Sequence, residues 1–387
     1  MFSIEFSLPT KIIFERGSLS KVHEHIDNLG AKAMVIMTRG GSMIKYGYYS
    51  TLRVSLEKAG LKYCMFTDIS SNPRSDEVER AIAFAEKNGC DLFIGLGGGS
   101  AIDSAKAVAA TLASGGKLTD YLRGKKEFSE VYPIVAIPTT HGTGSEVNKY
   151  AVITDVERKA KVSIVSKLIY PKVAILDPET TLTLPPTLSA ATAFDALAHA
   201  LESYVSRRTN RLARMFAAEA IRNIVGNIEV VVKRGINIQA RTRLLWASMM
   251  AGLAIDQSRT ALCHAMEHPI SAHYEKVHHG MGLAALLPAW LKFTLDAAIE
   301  DFVEIAEVMG LKVTTMPQRY IAMSVYDYIL KLRNSIGLNV RLSDFGVSEK
   351  DIDKFVDDVL DYMRPLVYNN PKVPTREEIK KLYLESL

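Results

Sequence analysis

The feature that most limits how this chain can fold is a change of rhythm near its middle. In the first half, short apolar runs alternate with helix-patterned segments. AMVIM (33–37), KYCMFTD (62–68), DLFIGLGGGS (91–100), YPIVAIP (132–138) and KVAILDP (172–178) read as strands. YSTLRVSLEKAG (49–60), SDEVERAIAFAEKNG (75–89) and AIDSAKAVAATLAS read as the helices between them. Strand and helix in alternation build βαβ units, hence a parallel sheet with helices on its faces. After TLTLPPTLS (181–189) only the helical period remains, and Pro185-Pro186 is the natural boundary. The expected architecture is an α/β domain with a parallel sheet over 1–184 and an all-helical domain over 185–387. The alternating FSIEF (2–6) is expected as a sheet-edge strand able to pair with a second subunit.

A length of 387 residues agrees with two cores rather than one. The 47 basic and 43 acidic residues leave a net charge of only +4, too small to imply nucleic acid or an anionic membrane as partner. Cys64, Cys90 and Cys263 are far apart in sequence with no CxxC pair, which argues against a disulfide framework and for a reducing compartment. No basic-then-apolar leader and no run of 18 apolar residues is present. A cytoplasmic location is the expectation.

Two loops follow strands and carry the residue types that hold phosphate. In GLGGGSAID (95–103), consecutive glycines let backbone N–H groups approach a phosphate, and the following helix N-terminus adds its dipole. The spacing is neither GxxxxGK[ST] nor a first-turn GxGxxG, and a tight strand–helix turn is the plain alternative. AIPTTHGTGSE (136–146) gathers Thr139, Thr140, Thr143 and Ser145 around Gly142 and Gly144. Those hydroxyls suit phosphate or ribose oxygens, though turn and capping residues have the same composition.

Five of the nine histidines fall between Cys263 and Gly280, in CHAMEHPISAHYEKVHHG. His264 and His268 are spaced i,i+4 before Pro269, which is expected to break the helical pattern; His278 and His279 follow across a loop. On the helix AATAFDALAHALESYV (190–205), Asp195 and His199 share the same spacing and one face, with Thr187 or Ser189 as expected cap. Either pair alone can be a helix-surface hydrogen bond. Together, on apolar and therefore buried helices, one carboxylate and several imidazoles form an N/O donor set for Fe(II) or Zn(II).

In order and approximate spacing, GLGGGSAIDSAK (95–106), IPTTHGTGSEV (137–147), LPPTLSAATAFDALAHALESY (184–204) and CHAMEHPISAHYEKVHHGMG (263–282) resemble the iron-containing (group III) alcohol dehydrogenase family. The resemblance covers nearly the whole chain and ends in a His-Gly-x-Gly at 279–282. It implies a Rossmann-like nucleotide-binding α/β domain over 1–184, an all-helical metal-binding domain over 185–387, and an oxidoreductase, usually a homodimer or larger, that transfers hydride between short primary alcohols, diols or their aldehydes and NAD(P). It implies Asp195, His199, His264 and His279 as ligands of one divalent metal, with His278 as alternative for the last, and His268 beside the metal as proton relay. His273 would be a loop residue near the site, and His141 has no implied role.

The resemblance further implies Gly97, Gly98, Gly99 and Ser100 at the cofactor pyrophosphate, with Asp103 in the following helix. Thr139, Thr140, Thr143 and Ser145 would lie near the phosphates and nicotinamide ribose, with Lys161 and Asn72 at the cofactor as well. Arg39, Gly40, Gly41 and Ser42 would face the adenosine ribose. Between Asp27 and Glu57 the chain has no acid to accept from a ribose diol, but it has Arg39, Ser42 and Lys45. NADP(H) is therefore expected over NAD(H). The rival readings on the same scaffold are a zinc-dependent glycerol dehydrogenase and a dehydroquinate synthase-like lyase.

Overall fold

The computed structural model describes residues 4–312 and 316–387. Its contacts divide the chain into two compact units. One is Ser7–Thr183; the other is Leu184–Leu387 together with Met1–Phe6, of which Ile4 to Phe6 are described.

In the first unit, β1 (Lys11–Phe14), β2 (Lys32–Thr38), β3 (Lys62–Ile69), β4 (Leu92–Gly97), β5 (Ile134–Pro138) and β8 (Val173–Leu176) form one sheet. Its order is β1-β8-β5-β4-β2-β3, and every neighbouring pair is parallel. The short α1 (Ser42–Lys45), then α2 (Tyr48–Lys58), α3 (Ser75–Asn88), α4 (Gly99–Ser114) and α5 (Leu118–Leu122) make the crossovers. Alternate residues of the strands feed two cores. Val35, Met37, Ile94 and Leu96 pack with Leu52 and Leu56 of α2, while Met34, Ile36 and Phe93 pack with Val78 of α3 and Val108 of α4. Both faces are covered, so the strands read as continuous apolar runs.

Chain direction reverses between two adjacent strands. From β2 the chain steps outward to β3; from β4 it steps the opposite way to β5 and β8. Ligands of open α/β sheets bind at the carboxyl ends of strands flanking such a reversal. Here those ends carry the loops 39–42 and 97–100. The α4 helix lies unusually close to β4, since a Cβ at Gly95 would sit 2.7 Å from Ile102 Cα.

Two further strands, β6 (Tyr150–Asp155) and β7 (Ala160–Val165), form an antiparallel hairpin paired from Tyr150↔Val165 to Asp155↔Ala160. Neither the hairpin nor β1 was expected from the sequence. The hairpin's turn holds Lys159 at φ 51°, without the Asn-Gly or Asp-Gly signal that marks such turns. Ile4 to Phe6 form no strand; the Phe6 ring packs 5.9 Å from Phe216. Two alternating apolar residues are too few to impose a strand, and Phe2 and Ser3 lie outside the described residues.

The second unit is helical: α6 (Pro186–Val205), α7 (Arg211–Lys233), α8 (Ile238–Ser258), α9 (Leu262–His273), α10 (His279–Leu295), α11 (Ile299–Val308), α12 (Gln318–Ser335), α13 (Glu349–Tyr362), α14 (Arg364–Val367) and α15 (Arg376–Glu385). Helices α6, α7 and α8 pack side by side, and α10 packs on both α6 and α9. The start of α6 differs from expectation. The helix begins at Pro186, whose fixed φ suits the first turn, so Ser189 lies inside it and accepts a hydrogen bond from Arg241 Nη1 at 2.7 Å. Nor does Pro269 end α9, which continues to His273. Tyr383 Oη donates to the Met266 carbonyl at 2.6 Å in that turn, bracing the segment where proline interrupts the backbone ladder.

Cys64 on β3 and Cys90 before β4, distant in sequence, bring their Sγ atoms to 3.3 Å as free thiols.

Candidate metal centre and cofactor loops

Asp195 and His199 stand one turn apart on α6, His264 is in the first turn of α9, and His279 opens α10. Asp195 Oδ1 lies 3.6 Å from His199 Nδ1, 3.6 Å from His264 Nε2 and 3.8 Å from His279 Nε2. One donor atom each from Asp195, His199 and His264 falls within 4.8 Å of the others, and all three residues are buried. Ligands about 2.1 Å from a tetrahedral ion are separated by roughly 3.4 Å, close to the spacing found here. Asp195 Oδ1 and His264 Nε2 are buried and make no hydrogen bond, which fits donors directed at an ion.

Two glutamates that the sequence did not single out complete the arrangement. Glu202, fully buried one turn beyond His199, bonds to His264 Nδ1 and accepts the Cys263 N–H at 2.7 Å. Glu267, also buried, bonds to His279 Nδ1 and accepts from the Ser271 hydroxyl. Each pairing occupies one ring nitrogen and leaves Nε2 facing Asp195, the tautomer a metal ligand requires. Glu202 was traceable in principle, being i+7 from Asp195 and on the same helical face. Glu267 sits between His264 and His268, where the eye is drawn to the histidines.

Electrostatics agree with the donor set. Burial would raise the Asp195 carboxyl, but His199, His264 and His279 hold it well below the usual carboxylate range. Burial would lower His264, yet the Glu202 and Asp195 carboxylates outweigh it and raise it to about 9.

The remaining imidazoles separate by role. The buried His268 ring lies 5.8 Å from the His279 ring and is outside the tight trio. His278 is the residue before α10, with extended backbone. His273 ends α9 rather than lying in a loop; its Nε2 pairs with Asp358 at 2.8 Å and its ring stacks on Phe355. His141 is buried.

In the other unit, the strand ends at the reversal carry most of the expected cofactor residues. Gly97 has φ 151°, and Gly98 immediately precedes α4, so the first N–H groups of that helix are presented at its open end. Thr140 and Thr143 lie over this turn. A Cβ on Gly98 would meet Thr140 Cγ2 at 3.1 Å, and one on Gly99 would meet Thr143 Oγ1 at 2.7 Å. The Thr139 N–H binds the Gly97 carbonyl at 2.9 Å, tying the two loops together.

Other members of the expected set are engaged with one another. Asp103 accepts the Ser145 hydroxyl at 2.5 Å and the Val152 N–H at 2.9 Å. Buried Lys106 donates to the Ser145 and Asn148 carbonyls at 2.6 and 2.9 Å. This polar cluster fixes the 143–152 loop from beneath. Lys161 Nζ donates to Asn72 Oδ1 at 3.1 Å, and Ser100 Oγ donates to the Ser71 carbonyl at 2.5 Å. At the end of β2, Gly41 has φ 65° and opens α1 at Ser42, with Gly40 beside it. Arg39 is held by Asp68 at 2.5 Å and by Glu77 at 2.7 Å.

Comparison with known proteins agrees with both halves. Residues 9–178 match the family model described as iron-containing alcohol dehydrogenase, and 189–387 match its C-terminal domain. The chain is 31% identical over 382 residues to the NAD-dependent methanol dehydrogenase of Bacillus methanolicus, covering 99% of both. It is 34% identical over 381 residues to a long-chain primary alcohol dehydrogenase of Thermoanaerobacter ethanolicus, covering 96% of this chain and 94% of that protein. Among solved structures, a 1,3-propanediol oxidoreductase superposes with a TM-score of 0.93 at 32% identity, covering 100% of both chains. The chain belongs to the iron-containing alcohol dehydrogenase family.

Proposed function

We propose that this protein is a metal-dependent, NAD(P)-linked dehydrogenase of short primary alcohols or diols, reducing the corresponding aldehydes in the reverse direction. The observation that carries this reading is the convergence of Asp195, His199 and His264 in one buried trio, with His279 Nε2 3.8 Å from the same carboxylate oxygen. Those four residues would hold Fe(II) or Zn(II). A divalent cation bound there supplies Lewis acidity toward the alcohol oxygen.

The chain's own contributions are then separable. Glu202 and Glu267 orient the imidazoles of His264 and His279. The Gly97–Ser100 turn and the N-terminus of α4 receive the cofactor pyrophosphate, with Thr140 and Thr143 over it. Buried His268 is the proton carrier between the alcohol hydroxyl and solvent. The Asp103–Lys106–Ser145 cluster keeps the second loop in place. Among the described residues no helix is long and apolar enough to cross a membrane. A homodimer or larger assembly in the cytoplasm is part of the proposal.

NADP(H) is proposed as the preferred cofactor. Arg39 immediately follows β2, beside the glycine-turn strand, where diol-binding sheets carry an acid. Its guanidinium is half exposed but shared by Asp68 and Glu77, so a 2′-phosphate would compete with those carboxylates. An aldehyde panel with NADPH and NADH, on protein loaded separately with Fe(II) and Zn(II), tests the reading. Faster turnover with NADPH is expected. Equal or better kcat/KM with NADH would overturn the cofactor preference, and no oxidation of either cofactor would overturn the activity.

A further inference from the structure

Two thiols that the sequence sets 26 residues apart meet where α3 ends above the sheet, with their Sγ atoms at 3.3 Å. Cys64 stands on β3 level with Met34 of β2, and its side chain joins the core on the α3 side of the sheet, with Met34, Phe66 and Phe84. Cys90 comes from the helix. Gly89 closes α3 in the left-handed region at φ 61°, and the Cys90 N–H then binds the Ala85 carbonyl at 3.1 Å. The helix end thus delivers Cys90 onto the strand that carries Cys64.

The two sulfurs are unequal. β3 is the last strand of its sheet and Cys64 is part-buried, whereas Cys90 is buried. The hydrogen bond from Cys90 lowers the pKa of Cys64 against the effect of burial, helped by the Lys32 ammonium, which is fixed on the Asn88 carbonyl at 2.6 Å. The same contact, with burial, raises the pKa of Cys90. An outer sulfur inclined to the thiolate, backed by a second thiol, has the form of an oxidant-reactive cysteine and its resolving partner. Bonded sulfurs lie about 2.05 Å apart, so closure needs a further approach of roughly 1.2 Å. The remaining thiol, Cys263, is buried in α9.

We propose that Cys64 and Cys90 are a peroxide-reactive dithiol that closes to an intrachain disulfide. The Cys64 thiolate attacks one oxygen of hydrogen peroxide, the O–O bond breaks, and the departing oxygen takes up a proton and leaves as water. Cys64 is then a sulfenic acid. The Cys90 sulfur attacks the Cys64 sulfur, and the Cys90 proton leaves with the hydroxyl as a second water. Two thiols are oxidised and one peroxide is reduced. The closed segment includes Ser71 and Asn72, which bond to Ser100 and Lys161, so the cross-link constrains a stretch tied to the glycine turn. The inference is independent of the proposed activity, because neither thiol belongs to the metal or cofactor residues.

Peptide mapping of iron-free native protein after hydrogen peroxide tests it, beside Cys64→Ser and Cys90→Ala; thermal melts in reductant confirm that both variants fold. The native chain is expected to yield peptides joined through Cys64 and Cys90 that separate in dithiothreitol, and closure is expected to raise Tm by about 5 °C. In Cys90→Ala the sulfenic acid should persist on Cys64 and be captured by dimedone, while Cys64→Ser should give no such adduct on Cys90. A native chain that keeps both thiols, or that cross-links only to a second chain, overturns the proposal. Equal dimedone capture at Cys90 overturns the order of attack, and closure with unchanged Tm overturns the constraint on the fold.

Discussion

His264 depends on residues that the sequence separates widely. Its Nε2 faces Asp195 while its Nδ1 is held by Glu202, so one carboxylate fixes the ring whose other nitrogen is turned to the second. Replacing such an outer carboxylate typically costs about 10–100-fold in metal affinity. Glu202→Gln is therefore expected to weaken metal binding by about tenfold, and Glu202→Ala by more, measured by chelator competition. An unchanged affinity in both would mean that Glu202 only packs.

The pH dependence follows from the same ring. In the metal-free protein His264 is raised to about 9, above its ordinary 6.5, so it stays protonated through neutral pH. That proton stabilises the metal-free fold fully below pH 6.5, and the contribution is lost as pH rises through 9. Metal uptake must displace it, so Zn(II) affinity should climb about tenfold per pH unit between 6.5 and 8.5. A flat profile would contradict the protonation assigned here. At this scale the pairing of Asp195 with His199 was legible, because i,i+4 spacing brings both to one helical face. The partners Glu202 and Glu267 act across helices and between histidines, and no spacing rule singles them out.

At the scale of elements, two glycines decide whether each half of the site can form. A Cβ on Gly280 would lie 2.0 Å from the Ala191 carbonyl oxygen, so a side chain there would push α10, and His279 with it, away from α6. A Cβ on Gly99 would lie 2.6 Å from Thr143 Cγ2 and force apart the two loops at the sheet's reversal. Gly280→Ala is expected to lose at least tenfold in metal affinity and about 1–3 kcal/mol of stability. Gly99→Ala is expected to raise the cofactor KM at least tenfold with metal content intact. Metal content and cofactor KM, measured on both variants, check the pair; both losses in both variants would show that the two losses are not separable.

The βαβ alternation was legible because buried parallel strands are apolar throughout and their helices are amphipathic. KIIF in β1 was too short to stand out, and the β6–β7 hairpin turns without glycine. Pro269 misled for a different reason: a proline removes one N–H, but tertiary contacts such as that of Tyr383 hold the remaining helix together.

For the molecule as a whole, the residues proposed for the chemistry divide between the two units. Ser7–Thr183 presents the glycine turn at a sheet reversal, and Leu184–Leu387 gathers the proposed metal donors on α6, α9 and α10. The boundary was placed at Pro185-Pro186 because the strand period gives way there to the helical one. Which alcohol the protein takes was not, because a substrate pocket is assembled from side chains that no local pattern connects.

The central claim is that one divalent cation, held by Asp195, His199, His264 and His279, is required for alcohol oxidation. The most direct measurement is metal stoichiometry beside cofactor-linked alcohol oxidation, for the native chain and Asp195→Ala, each stripped and reloaded with Fe(II) or Zn(II). The expected result is one metal per native chain, activity that returns with reloading, and neither bound metal nor activity in Asp195→Ala. Full alcohol oxidation by the stripped native chain, or by metal-free Asp195→Ala, would contradict it.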